Sequence, residues 1–106
     1  MAVEATDKLG DPYDKTANFA RALSHPARVK IVEMLSEEGS MTCGMITEQI
    51  PLSQATVSQH LKLLKEANVI EMEKDGLKSI YTLKSSTVSD AHSFIYALLN
   101  QMINPL

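Results

Sequence analysis

Hydrophobic residues recur with the period of a helix over most of this chain. In the middle of the sequence, Val57, Leu61 and Leu64 lie at i, i+4 and i+7, the spacing of one apolar stripe on a helix. Side chains with short polar groups occupy the positions between them. Capping residues and breakers divide the first part of the chain, and together with the period they predict four helices. These predicted helices cover residues 11–23, 26–38, 42–50 and 53–66.

The hydrophobic period changes from 3.6 to 2 after the fourth helix. Residues 69–74 and 78–83 are enriched in β-branched and aromatic side chains, and Asp75-Gly76 between them predicts a tight hairpin turn. Residues 85–103 return to helical spacing and are apolar on several sides. The element order α-α-α-α-β-β-α predicts a mainly helical fold with a small two-stranded hairpin, which is a winged helix-turn-helix.

The length of 106 residues predicts one small domain, placed at 11–104 after a flexible tail at 1–10. The single cysteine, Cys43, excludes an intramolecular disulfide and fits a reducing compartment. No apolar run approaches the roughly 20 residues that span a bilayer, so no membrane association is expected. The first residues contain neither a basic start nor an apolar stretch, so no signal peptide is expected and a cytoplasmic location is predicted.

Charge is distributed unevenly along the chain. The formal net charge of −3 argues against nucleic acid when the whole chain is counted. However, residues 1–20 contain four acids against two lysines, whereas residues 53–65 contain Lys62 and Lys65 and no acid. Between residues 85 and 106 the only formally charged side chain is Asp90. This distribution predicts modest non-specific affinity for DNA rather than none.

The polar face of the fourth predicted helix has the chemistry of a DNA reader. Gln pairs bidentately with adenine, Ser bonds to several base edges, and Lys contacts guanine or phosphate. Ser53, as the N-cap, directs free N–H groups toward a phosphate. The alternative is an ordinary solvated helix face. The residues predicted to contact DNA are Ser53, Gln54, Ala55, Thr56, Ser58, Gln59, His60, Lys62 and Lys65 on this helix, and Lys74 and Lys78 on the hairpin.

Three motifs in order give the chain a family resemblance. RALSHPARVKIVEML, then LSQATVSQHLKLLKEANVI, then a DG hairpin ending in IYTL resemble the ArsR/SmtB family of small bacterial repressors over about residues 14–100. The resemblance implies a homodimer, joined mainly by the first and last helices, that represses transcription at a short inverted repeat. The uncharged last helix also favours a twofold partner, although it could instead pack on its own domain. The predicted dimer residues are Phe19, Leu23, Phe94, Ile95, Leu98, Leu99 and Met102.

The hairpin departs from the family pattern. Family wings are commonly rich in arginine, whereas here Lys74 and Lys78 are offset by Glu73 and Asp75. We therefore expect the wing to contribute little to DNA affinity. Pro51 occupies a position at which relatives commonly have glycine. Proline stiffens this turn, which precedes the fourth predicted helix; we call that helix the reading helix because it is predicted to contact the bases.

The metal sites that the resemblance implies are incomplete. A Cys-x-Cys pair on the third helix would fall on Cys43 and Met45, so one thiolate is missing. An Asp-x-His pair on the last helix matches Asp90 and His92, but the positions for its second half are apolar. Two ligands per subunit do not make a closed tetrahedral zinc site. No metal and no cofactor are predicted, and Asp90, His92 and Cys43 stay as half-site candidates.

Other functions receive less support from the residues. A redox switch would need a second cysteine, and catalysis would need Cys43 paired with His25, His60 or His92, which nothing in the sequence orients. The protein is therefore predicted not to be an enzyme, and no catalytic residues are predicted. Two alternatives stay open: a winged-helix module for protein contacts, and a metal-responsive repressor with a non-standard site. The effector, the operator and the choice between repressor and activator also stay open.

Overall fold

The computed structural model describes residues 9–105, and within them five helices surround a small sheet. The predicted winged helix-turn-helix is confirmed, with one short strand added. The tail predicted at residues 1–10 lies almost wholly outside the described residues. The elements are α1 (Tyr13–Ala22), α2 (Pro26–Glu38), β1 (Met41–Thr42), α3 (Cys43–Thr47), α4 (Gln54–Glu66), β2 (Ile70–Asp75), β3 (Lys78–Leu83) and α5 (Ser85–Ile103).

Hydroxyl caps start the two helices of the helix-turn-helix, as the sequence predicts. The N–H of Met45 donates to Thr42 Oγ1 at 3.2 Å, which caps α3. The N–H of Thr56 donates to Ser53 Oγ at 3.1 Å, which caps α4. Each bond satisfies one of the backbone donors that a helix start leaves free. Only the Ser53 cap lies at the turn between the two helices, and Thr42 lies at the opposite end of α3. The first of these helices ends at Thr47, before the predicted end at residue 50.

The start of α1 differs from the prediction. In the sequence, Asp11 before Pro12 predicts an N-cap followed by the first helical residue, but the helix begins at Tyr13 and its N-cap, Pro12, makes no side-chain capping bond. The carboxylate of Asp14, in the first turn, instead accepts the N–H of Gly10 at 2.9 Å. A carboxylate in the first turn also interacts favourably with the helix dipole, so Asp14 takes the place predicted for Asp11.

The sheet has three antiparallel strands in the order β1-β3-β2. β1 was not predicted. Met41 pairs with Tyr81 and Thr42 with Ile80. Two residues are too few for an alternating pattern to be recognised, and only the neighbouring strand supplies the hydrogen bonds that make them a strand.

The hairpin turn lies one residue later than predicted. Asp75 is the last residue of β2 and pairs with Lys78, so Gly76 and Leu77 form the two-residue turn. Gly76 has a φ of 64°, and it is the only one of the two turn residues with a positive φ. A glycine first and an ordinary residue second fit a type II′ turn, whose twist matches the twist of paired strands.

The core brings α2, α4 and the sheet together around the predicted stripe of α4. Val57, Leu61 and Leu64 are each 0% exposed. At about 1.5–3 kcal/mol for each buried aliphatic side chain, this stripe contributes substantially to holding α4 in place. The other fully buried large side chains, at less than 2% exposed, are Ile31, Leu35, Met41, Ile46, Val69 and Ile70.

A polar junction closes the far end of α4. Asn68 has a φ of 66°, and its N–H donates to Lys65 O at 2.9 Å while the N–H of Val69 donates to Leu64 O at 3.0 Å. These two bonds form a Schellman motif, in which Asn is one of the few residues that tolerate the positive φ. The Asn68 Oδ1 also accepts Lys84 Nζ at 3.0 Å, next to the start of α5. The end of α4 is thereby tied to the last helix.

Candidate nucleic-acid interface

One side of α4 is exposed along its whole length, and it carries the predicted base-contacting side chains. Thirteen residues give a helix of about 20 Å, which a major groove about 12 Å wide admits. The opposite side is the buried stripe, so no rotation of the helix is needed to present the polar side to solvent. The exposed residues of the predicted set on this helix and its cap are Ser53, Gln54, Ala55, Thr56, Ser58, Gln59, Lys62 and Lys65.

The start of α4 has the electrostatics of a phosphate site. Ser53 Oγ accepts the N–H of Thr56 and donates its own proton to Thr56 Oγ1 at 2.9 Å. The first turn contains no acidic residue, and Lys65 lies in the last turn. The positive end of the helix dipole is therefore not offset by a carboxylate of the first turn, which favours an anion there.

His60 does not belong to this exposed face, and its predicted DNA contact is wrong. It is only 8% exposed, its Nδ1 lies 3.2 Å from Arg28 Nη1, and its ring centroid lies 4.4 Å from that of His25. Burial, then the nearby His25 and Arg28, lower the pKa of His60 below its usual value. Residue 60 follows Val57 by three positions, so the helical period itself places it beside the buried stripe.

The wing presents two exposed lysines among acids. Lys74 Nζ donates to Ser79 Oγ at 3.0 Å, and these two residues face each other across the hairpin. Lys78 pairs in register with Asp75, and Leu77 at the tip is completely exposed. With Glu73 also exposed, the hairpin has little net positive charge. Its lysines are free to approach DNA, but the surrounding charge is nearly balanced.

Solved structures of transcriptional regulators share this arrangement. The transcriptional repressor BigR from Xylella fastidiosa superposes with a TM-score of 0.65 at 28% identity, covering 80% of this chain and 87% of BigR. An ArsR-like regulator from Rhodococcus sp. RHA1 reaches a TM-score of 0.74 at 18% identity, covering 88% of this chain and 84% of that chain. At 18% identity, the similarity to the Rhodococcus regulator is one of fold alone.

Sequence similarity decides the family. The helix-turn-helix domain family matches residues 23–73, from the end of α1 into β2. The transcriptional repressor SdpR of Bacillus subtilis is 34% identical over 89 residues, which is 84% of this chain and 98% of SdpR. The chain belongs to the ArsR/SmtB family. This ArsR/SmtB protein is therefore a winged helix-turn-helix, DNA-binding transcriptional regulator.

The family's metal positions are dispersed in this ArsR/SmtB regulator. Cys43, on α3, is half-buried with its Sγ 4.0 Å from Thr47 Oγ1. Asp90 and His92 are exposed on α5, and the His92 ring stacks on Tyr96 at 5.5 Å between centroids. Within residues 9–105, no three His, Cys, Asp or Glu side chains come together in a group that could hold a metal ion. The absence of a metal at these half-site candidates stays a prediction.

The last helix of the ArsR/SmtB regulator leaves a large apolar surface uncovered. Of its 19 residues only Ala91 is buried. Leu98, Leu99 and Met102, all predicted dimer residues, are exposed together with Tyr96 and Ile103; we call these five residues the α5 face. No helix among residues 9–105 has the length and apolarity needed to cross a membrane.

The remaining predicted dimer residues already have partners within the chain. Phe19 and Leu23 pack against the core. Phe94 is half-buried, and its ring meets the Tyr13 ring edge-on at 5.7 Å between centroids. Ile95 is also half-buried. The free apolar surface is therefore concentrated in the second half of α5 rather than shared equally with α1.

Proposed function

We propose that this regulator is a homodimeric repressor that binds an inverted-repeat operator through α4 of both subunits and is released by an effector. The observation that carries this proposal is the division of α4 into a fully buried stripe and an exposed row of hydrogen-bonding side chains. SdpR and BigR, which resemble this chain over most of its length, are both named transcriptional repressors.

Base recognition in this proposal rests on Gln54, Ser58 and Gln59. Each Gln has the donor and acceptor pair that adenine presents in the major groove, and the methyl group of Ala55 suits the thymine methyl. One good bidentate pair contributes about 1–3 kcal/mol of discrimination against the wrong base. Ser53, Thr56, Lys62 and Lys65 then hold the backbone phosphates and set the register of the helix on DNA.

Dimerisation in this proposal covers the α5 face. A small domain with several exposed large apolar side chains on one helix has an uncovered patch of the kind that marks a protein interface. A twofold axis would place the same residues of a second copy opposite them. Two reading helices would then enter successive major grooves, roughly 34 Å apart.

The test is fluorescence anisotropy of a labelled duplex from the region upstream of the gene. We expect binding at least about a thousandfold tighter than to a shuffled duplex of equal length and composition, because specific affinities exceed non-specific ones by that factor or more. We also expect affinity to fall steeply with added salt, since phosphate contacts release counterions. Equal affinity for both duplexes would contradict operator recognition, and salt-insensitive or absent binding would favour a protein-contact module.

Effector release is tested on the same complex. The complex is challenged with Zn(II), As(III), Cu(I) and an oxidant in turn. The proposal places the protein among regulators that do not catalyse a reaction, in the cytoplasm with the chromosome, and without a complete family metal site. We therefore expect none of the four to release DNA, and release by any one of them would contradict the absence of a metal or redox site.

A further inference from the structure

Three side chains form a cluster behind the reading helix, where α4 meets the start of α2. His60 projects from the inner side of α4, and its Nδ1 lies 3.2 Å from Arg28 Nη1. The ring of His25, the N-cap of α2, lies against it with 4.4 Å between centroids. His25 is itself fixed, because its Nδ1 accepts the N–H of Ala27 at 3.0 Å. A buried polar group is thus held from two directions.

Arg28 extends this cluster to the end of α1. Its Nε donates to the carbonyl of Ala22 at 2.7 Å, and its Nη2 lies 3.4 Å from Ser24 Oγ. A guanidinium has donors in a fixed planar fork, so one side chain bonds several elements at once with defined geometry. Arg28 therefore joins the end of α1, the first turn of α2 and the middle of α4.

We propose that Arg28 and His25 are positioning residues that hold the reading helix in its DNA-binding orientation through His60, and that they do so only while His60 is neutral. This inference rests on the proposed function of α4. His60 is buried, so it does not itself contact DNA, and it follows Thr56 by one helical turn and Gln59 by one residue on α4. We expect a displacement of His60 to move these two neighbours, Gln59 at the bases and Thr56 at the phosphates.

The chemistry of the contact requires the neutral imidazole. Arg28 has only donors, so Nδ1 of His60 must accept, and the ring proton must sit on Nε2. Protonation makes Nδ1 a donor that faces another donor, and it adds a positive charge beside the Arg28 guanidinium and the His25 ring. The charged groups that border the adjoining groove are Arg21 on α1 and Glu66 on α4, together with Arg28 itself. None of the groups that shift the pKa of His60 is an acid that would favour the proton.

The direction of the pH effect follows from the lowered pKa of His60. Burial is the largest cause, followed by His25 and Arg28, and all three oppose the proton. A state in which His60 leaves the cluster has the ordinary pKa of about 6.5 and binds more protons. The engaged state is therefore fully favoured above about pH 6.5 and is progressively lost as the pH falls through that value toward the lowered pKa.

The first experiment measures DNA affinity of the full-length protein against pH, using the labelled upstream duplex at constant ionic strength. Between pH 7.5 and pH 5.5 we expect the native protein to lose affinity several-fold, with the loss beginning as the pH falls through about 6.5. His60→Asn keeps an acceptor near the Nδ1 position and does not titrate, so its profile should be flat. His25→Asn keeps the cap of α2 and should show a smaller loss than the native protein. His92→Asn, at an exposed histidine on α5, is the matched control and should follow the native profile.

Three outcomes would overturn the proposal. The first is a native profile as flat as that of His60→Asn. The second is an affinity that rises in acid, as simple attraction of an added positive charge to phosphate would produce. The third is a loss that accompanies loss of the helical circular dichroism signal, because that would be global unfolding rather than positioning.

A second experiment needs no DNA, so failure of the proposed function is distinguishable from failure of this inference. In an NMR titration of the native protein, the backbone amide shifts of Thr56 and Gln59 should follow the same midpoint as the His60 ring. In His60→Asn these amide shifts should not move over that range. If the upstream duplex is not bound at pH 7.5, the proposed operator binding fails, and the amide titration alone decides the positioning. Amide shifts that do not follow the midpoint of the His60 ring would contradict the positioning role.

Discussion

Two helices of this protein, α4 and α5, are both amphipathic, but only α4 has its apolar side buried within the chain. The apolar stripe of α4 is fully buried within the chain, and its exposed side is polar. α5 is six residues longer and has a single buried residue, while large apolar side chains face solvent along its second half. The buried apolar side of α4 leaves its hydrogen-bonding groups facing solvent, whereas α5 exposes apolar surface to solvent.

The difference indicates two kinds of partner. Short polar side chains on a rigidly packed helix suit the edges of base pairs, which offer donors and acceptors in fixed positions. An uncovered apolar face gains free energy by leaving water, so it suits a surface of the same kind, such as the α5 of a second copy. In the proposed dimer, the two partners act together, because the apolar contact sets the distance between the two polar readers.

The largest effect is expected where α4 meets the core. Leu61→Ala should lower the free energy of unfolding by about 2–5 kcal/mol, because it removes a fully buried side chain and leaves a cavity. Leu63→Ala is the matched control, since Leu63 is 46% exposed on the same helix and should cost less than about 1 kcal/mol. Denaturant unfolding of both variants at equal protein concentration measures the two values. Equal losses would mean that the two sides of α4 do not differ as described.

The second effect is expected on the α5 face. Leu99→Glu combined with Met102→Glu should raise the dimer dissociation constant by on the order of a hundredfold, because two carboxylates would have to leave water at the proposed interface. Sedimentation at micromolar concentration measures the mass of each variant.

Leu77→Glu is the control for this pair of substitutions. It adds a charge at another exposed leucine, on the wing, and should leave the mass unchanged. A native protein that already sediments as a monomer would contradict the proposed dimer and leave the α5 face to another partner.

The third effect is expected on base recognition. Gln59→Ala should weaken operator binding by about 5- to 150-fold, corresponding to 1–3 kcal/mol, and should reduce the preference at one base-pair position. Gln101→Ala, an identical change at an exposed position of α5, should bind as the native protein does. Anisotropy with a set of single-base operator variants measures both. An unchanged preference in Gln59→Ala would place base recognition elsewhere on α4.

The smallest effect is expected on the wing. Lys74→Ala and Lys78→Ala should each weaken binding by only about two- to fivefold, equally for operator and shuffled duplex, and should each lower the salt slope by about one. The acids beside them, and the bond from Lys74 to Ser79, limit what these lysines add. Lys15→Ala on α1 serves as the control with the same loss of charge. Loss of sequence preference in the wing variants would contradict their assignment to phosphate.

Periodicity and capping chemistry were sufficient to predict most of the fold. The stripe of Val57, Leu61 and Leu64, the caps at Thr42 and Ser53, and the two strands of the hairpin could be predicted because each depends on neighbours within a few residues. The start of α1 was predicted wrongly because Asp11 and Asp14 are both acceptable first-turn acids, and only the folded backbone selects between them. The hairpin turn was predicted one residue too early because the register between β2 and β3, not the Asp75-Gly76 pair itself, determines where β2 ends.

The candidate site was predictable as a set of exposed residues but not as a set of contacts. The helical spacing put Gln54, Ser58 and Gln59 on one side of α4, and the structure leaves all three exposed. His60 was placed with them because its side chain is polar, although the period puts it beside the buried stripe. Its partner Arg28 lies 32 residues earlier, and no local pattern relates the two.

The sequence by itself determined the order of the five helices and the hairpin, the family and the chemistry of the two surfaces, because these depend on periodicity, on local capping and on motifs read along the chain. The tertiary structure alone decided which polar residues remain exposed and which are enclosed. It added β1, whose two residues form a strand only beside β3, and it brought Arg28, His25 and His60 together. The physical reason is that burial and long-range hydrogen bonding depend on how the helices pack. That packing cannot be read from a short stretch of neighbouring residues.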